Sequence, residues 1–193
     1  MEYLTVSWNV VEGIIAVSAG LAAGSVALLA FGIDSFIESI SGGVLIWRLH
    51  AERKPRYAAS AAALDARAAR LVGLSLFVLA AYIAVDAALT LWNRERPDPS
   101  WIGILLTATS VGIMLWLARA KRSAAKALGS RALEADAFQT TACWWLSIIV
   151  LIGVGLNAAF GWWWADPVSA LVVTYFVVRE GKEAWEGERC CDD

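Results

Sequence analysis

Apolar residues run almost without interruption through six stretches of the chain, at about 5–23, 26–47, 71–92, 101–118, 132–160 and 162–180. Each stretch offers the ~20 residues that a helix rising ~1.5 Å per residue needs to cross a ~30 Å hydrocarbon core. The pattern predicts six transmembrane helices, with residues 1–185 forming one transmembrane domain and 186–193 a short cytoplasmic tail. The first stretch does not read as a cleaved leader, because MEYLTVSW has no basic residue and a second apolar stretch follows at once. The sixth is interrupted by Asp166 and Pro167, a proline that the first turn of a helix accepts.

Composition narrows this to an all-α integral membrane protein held in a lipid bilayer. With 59% hydrophobic and 18% charged residues, the chain is too apolar for a domain whose whole surface is hydrated. Of its 16 Lys and Arg, all but Arg94 and Arg96 lie between helices 2 and 3, between helices 4 and 5, or in the C-terminal tail from Arg179 on. The positive-inside bias then places these connections and both termini in the cytoplasm, and the multi-pass topology fits the inner membrane of a bacterium. Trp92, Trp101 and Trp162 to Trp164 form an aromatic belt on the opposite side. The basic connections need no nucleic acid to account for them.

Helices 2 and 5 share a motif. GSVALLAFGIDSFIES, from Gly24, and GSRALEADAFQTTACW, from Gly129, both read G-S-x-A-L-x-A at an offset of 105. Helix 2 starts outside and helix 5 inside, so the copies run oppositely through the bilayer, as an inverted repeat of three plus three helices requires. At this offset Asp34 falls on Gln139 and Glu38 on Cys143. Asp34 and Gln139 each lie nine residues beyond the serine of the motif, roughly 13 Å deep. For antiparallel neighbours the expected pairs are Asp34 with Cys143 and Glu38 with Gln139.

An ionised carboxylate in hydrocarbon costs about 2.5–3.5 kcal/mol on insertion scales. Asp34 and Glu38, at i and i+4, also repel each other. A divalent cation offsets both effects, with Asp34, Glu38, Gln139 and Cys143 as four ligands. Protons offset them in its absence, so the site suits a metal cation exchanging with protons. Glu12, at similar depth on helix 1, and Asp136, one turn from Gln139, are further metal or proton sites, although Asp136 also suits capping or a pair with Arg131. The tail residues Cys190 and Cys191, beside Asp192 and Asp193, suit soft-cation capture, a disordered tail or a lipidated Cys pair. The bland alternative leaves Asp34 and Glu38 bonded to Ser35, Ser39 or Ser41, or paired with Arg48, and leaves Cys143 as an apolar filler. No Ser-His-Asp set, His-rich metal motif or phosphate-binding glycine loop is evident, which speaks against an enzyme.

The chain resembles the cation diffusion facilitator family, whose second helix carries GS-x-ALLA-D-G-[HD]-S-x-x-D and whose fifth carries ADA-x-H-T-x-x-D. Here these read GSVALLAFGIDSFIES and EADAFQTTACW, and the family's Asp-Pro start of helix 6 reads ADPVSALVV. The resemblance implies a homodimeric secondary transporter, with both termini cytoplasmic, that exports Zn²⁺ or a similar cation against protons and holds no resident cofactor. By position it implies Asp34, Glu38, Gln139 and Cys143 as metal ligands. The last two replace the usual His and Asp and point toward softer Cd²⁺ or Hg²⁺. The family's cytoplasmic domain would begin where this sequence ends. A membrane metal-binding or regulatory subunit without transport is the alternative.

Overall fold

The computed structural model describes residues 2–52, 58–128 and 131–186. They form six helices: α1 (Glu2–Ala23), α2 (Val26–Glu52), α3 (Ala58–Asn93), α4 (Trp101–Leu128), α5 (Arg131–Phe160) and α6 (Ala165–Glu186). Several outrun their apolar stretches. α3 begins 13 residues before Leu71, through AASAAALDARAAR, and α4 continues through KRSAAKAL. Alanine, lysine and arginine favour helix whether or not the segment is apolar, so these extensions are carried by propensity.

Among the described residues, five helices are long and apolar enough to cross a bilayer. The sixth, α6, is 22 residues long and carries Asp166, Arg179, Glu180, Lys182 and Glu183. Its position nonetheless makes it a crossing. Asp166 bonds to the α1–α2 turn at one end of the bundle, while near the other end Gly181 packs on Gly73 of α3, so closely that a Cβ on Gly73 would lie 2.8 Å from the Gly181 carbonyl oxygen.

Three connections gather at one end of the bundle. The Asp98 N–H donates to the Ala23 carbonyl at 2.8 Å, and Asn157 Nδ2 donates to the Pro97 carbonyl at 2.8 Å. These bonds join the α1–α2 turn, the α3–α4 loop and the end of α5. Ser25 caps α2 by accepting from the Leu28 N–H at 3.2 Å, and donates its own hydroxyl to Asp166 Oδ1. Asp166 Oδ2 also accepts from the Ala27 N–H at 3.4 Å. A residue of α6 thus completes the cap of α2. Asp166→Ala is expected to cost about 1–2 kcal/mol of stability, and Asp166→Asn, which keeps an acceptor, less; thermal unfolding in detergent measures both. Equal melting of Asp166→Ala and the unaltered protein would contradict the shared cap.

The packing follows the repeat. α1 lies against α2 as extensively as α4 against α5, and α2 meets α3 much as α5 meets α6. α3 and α6 form the third large contact, beside the α1, α2, α4 and α5 group. The approach of α1 to α2 depends on glycine: a Cβ on Gly32 would lie 2.8 Å from the Val17 backbone nitrogen. Small residues at such crossings let backbones close up where no hydrophobic force drives helices together in lipid. The contact between α2 and α6 has no counterpart of similar extent between α5 and α3 among the described residues. Here the two halves differ, and here the acidic residues collect.

Candidate cation site

Asp34 and Glu38 project from α2 one turn apart and meet Glu180 of α6, with one carboxylate oxygen from each lying within 4.8 Å of the others. Asp34 is 2% exposed and its Oδ1 has no hydrogen-bond partner. Glu38 is held on both oxygens: Oε1 accepts from the Cys143 thiol of α5, and Oε2 accepts from Asn9 Nδ2 of α1 at 3.0 Å. Glu180 Oε1 accepts from Gln139 Nε2 of α5 at 2.7 Å. Asn9 is 3% exposed and turns its one donor group to Glu38, which leaves its Oδ1 buried and unpartnered. Four helices therefore contribute, and the two orphaned atoms are both acceptors. An added positive charge satisfies such oxygens; a further acceptor does not.

The expected pairing of Asp34 with Cys143 and Glu38 with Gln139 is corrected. Cys143 meets Glu38, its partner at the repeat offset of 105. Two helices related by a pseudo-twofold axis bring equivalent residues together where they cross, and the crossing lies at this pair. In that antiparallel register Asp34 lies level with Ser147, and Gln139 is carried a turn toward the other end. Gln139 is exposed, and it reaches the cluster through Glu180.

Glu180 and Asn9 escaped the sequence reading. Glu180 follows Arg179 where the apolar run ends, a setting in which charged residues ordinarily mark the membrane surface. Its counterpart at the repeat offset is Ser75, so the repeat carries no signal for it. Asn9 is a lone amide in α1 with no motif around it.

The remaining candidates lie elsewhere. Glu12 is 1% exposed and accepts hydroxyl bonds from Ser35 of α2, at 3.2 Å, and from Ser110 of α4, tying three helices together. Asp136 pairs with Lys121 of α4, Oδ2 to Nζ 2.8 Å, and Lys121 also meets Glu2 Oε1 at 3.2 Å. Lys121 is 0% exposed, so α1, α4 and α5 are pinned together near the N-terminus. Cys190 and Cys191 lie outside the described residues.

The cluster has unlike surroundings on its two sides. Toward the turns lie Ala27, Leu28, Phe31, Val150, Val154, Ala170 and Val173, all buried and apolar. In the other direction Glu180 is half-buried and Gln139 exposed. The cluster thus comes nearest the surface beside α5 and α6, and is covered by apolar side chains toward the turns.

Fold and site together define an integral, multi-pass helical membrane protein with an acidic, cation-sized cluster among its helices. As the motifs on α2 and α5 imply, the chain belongs to the cation efflux family, since residues 3–186 match that family's transmembrane domain. It is 29% identical over 161 residues to an uncharacterized transporter of Synechocystis sp., covering 82% of this chain and 52% of that protein. It is 26% identical over 176 residues to the cation-efflux pump FieF of Shewanella oneidensis, covering 87% and 56%. The chain spans about half the length of these curated relatives.

Proposed function

We propose that the protein exports a divalent transition-metal cation from the cytosol across a bacterial cytoplasmic membrane, through Asp34, Glu38 and Glu180, and returns protons in exchange. The observation that carries this reading is the convergence of three carboxylates, with Asp34 Oδ1 among them and Asn9 Oδ1 of the neighbouring helix both buried without donors. Family membership, a relative named as a cation-efflux pump and the bacterial origin of both relatives support it. With the basic connections and both termini in the cytoplasm, the side of the cluster at Glu180 and Gln139 faces the metal source, and the apolar packing above Asp34 seals the exit. Alternating access then requires that packing to part while the cytoplasmic side closes.

Three carboxylates this close do not all stay ionised without compensation, which either protons or a divalent cation supply. The proposed ligands are Asp34, Glu38 and Glu180, with Asn9 Oδ1 in reach of the same space. Gln139 orients Glu180. Cys143 supplies sulfur only after giving up the proton it shares with Glu38, so the site as folded is oxygen-rich and suits Zn²⁺, Mn²⁺ or Fe²⁺ before Cd²⁺ or Hg²⁺. Competition between Zn²⁺ and Cd²⁺ for the unaltered protein and Cys143→Ser tests this order. If replacing the thiol lowers Cd²⁺ affinity far more than Zn²⁺ affinity, sulfur is a ligand and the soft-metal reading returns.

Because a carboxyl must lose its proton before that oxygen ligates, cation binding is expected to release protons and to weaken as pH falls. Calorimetric titration of Zn²⁺ in buffers of different ionisation enthalpy counts the protons released. Binding with no proton release would remove proton exchange from the proposal. Flux into liposomes containing a metal-sensing dye tests transport itself, and binding without flux would favour a membrane metal-binding subunit.

A further inference from the structure

On the outer surface of the bundle, Leu115, Ala118, Arg119 and Arg122 of α4 and Thr141 and Trp144 of α5 line a cavity of about 190 Å³. It is separate from the acidic cluster, and no part of the proposed transport uses it. Its lining is graded. Leu115, Ala118 and Trp144 are apolar or largely so, whereas Arg119 and Arg122 are exposed and stand where the apolar part of α4 ends.

Among the described residues, no carboxylate lines the cavity. Arg122 Nη2 donates to the neutral Thr141 hydroxyl at 3.4 Å. Asp136, a turn and a half before Thr141 on α5, is engaged by Lys121 in the interior. Trp144 Nε1, a donor only, is buried without a hydrogen-bond partner. Two guanidinium groups thus share one groove, the inverse of the acceptor-rich cation site. Trp116 and Trp145, next in sequence to Leu115 and Trp144, are 61% and 50% exposed.

We propose that this groove binds the headgroup of an anionic phospholipid, with Arg119 and Arg122 on the phosphate oxygens and the acyl chains running along Leu115 and Trp144. Guanidinium suits phosphate because its planar fork donates two parallel bonds. A lipid is favoured over a soluble anion because the apolar wall continues from the cationic end into the membrane span. Headgroups that carry an ammonium beside the phosphate bring that charge against the second arginine, so the groove discriminates by headgroup charge.

Native mass spectrometry of the full chain in detergent, offered equal phosphatidylglycerol and phosphatidylcholine, tests this. Retention of phosphatidylglycerol is expected to exceed that of phosphatidylcholine by about tenfold, to fall to parity in Arg119→Gln/Arg122→Gln, and to lie between in either single variant. Arg119→Lys/Arg122→Lys is expected to keep part of the preference, which separates loss of charge from loss of fold. Equal retention of the two lipids by the unaltered protein overturns the proposal, as does a preference that the Gln pair leaves intact. Displacement of bound phosphatidylglycerol by millimolar inorganic phosphate would make this a soluble-anion site and overturn it equally.

Discussion

Asp34→Asn is expected to abolish cation flux while leaving the cation-free protein more stable than the original. The two effects have one cause. Asn keeps the size of the side chain and one acceptor oxygen but removes the charge, so nothing need shift in the packing around a residue that is 2% exposed. In the cation-free state it removes the cost of either ionising or protonating a carboxyl beside Glu38, one turn away, and Glu180, and replaces a buried group whose Oδ1 has no partner. A gain on the order of 1–3 kcal/mol is expected. With the cation present the balance reverses, since the lost oxygen was a ligand. Substituting residues that merely support metal ligands costs about 10–100-fold in affinity or activity, so losing a ligand is expected to cost at least about 100-fold. Two measurements check this: flux in liposomes, and thermal unfolding with and without Zn²⁺. The unaltered protein gains about 2.7 kcal/mol at a cation concentration 100 times the dissociation constant, and the variant gains little. A variant that still transports, or that Zn²⁺ still stabilises as strongly, would show that Asp34 is not part of the site.

Lys121→Met is expected to be the most damaging substitution outside the cluster. Lys121 is 0% exposed, and its Nζ lies 3.2 Å from Glu2 Oε1 and 2.8 Å from Asp136 Oδ2. Methionine fills much the same volume but leaves two carboxylates facing each other, with side chains only 16% and 15% exposed. Breaking a buried ion pair from one side costs about 3–5 kcal/mol, because the charge left behind has no compensation. The lower end applies here, as both acids keep some contact with the surroundings. The triple variant Glu2→Gln/Lys121→Met/Asp136→Asn removes all three charges and is expected to recover most of the loss, since neutral replacement of a whole buried ionic group is often close to neutral. Thermal unfolding distinguishes the two variants. If the triple variant is no better than Lys121→Met, shape and not charge makes Lys121 necessary.

Much of the fold was legible along the chain. The apolar runs marked all six helices, because a segment crossing a bilayer must satisfy every backbone polar group internally and present apolar side chains over ~20 residues. The repeat between α2 and α5 was legible too, and the matched packing of the two halves accords with it. Helix ends were less so. The apolar run stops at the membrane boundary, whereas the backbone of α3 and α4 follows alanine-rich sequence beyond it.

The site was half legible. Asp34 and Glu38 stood out because acids within an apolar run demand a partner, and Cys143 stood at the offset where it meets Glu38. Glu180 did not stand out, because an acid at the end of an apolar run looks like any interfacial charge. Gln139 was found for its position on α5, yet its amide N–H turns to Glu180 and not to Glu38.

By itself, then, the sequence determined the membrane class, the number of helices, the antiparallel relation of α2 and α5, and the two acids around which the acidic cluster gathers. These are local properties, encoded in hydropathy, spacing and motif. Only the tertiary structure decided where α2 crosses α5, that α6 rather than α3 closes on that crossing, and that Glu180 and Asn9 join Asp34 and Glu38 there. Axial register and crossing position are set by how small residues such as Gly32 let helices approach and by bonds such as Ser25 to Asp166 that lock their ends. No single helix carries that information, because it arises only when the helices pack.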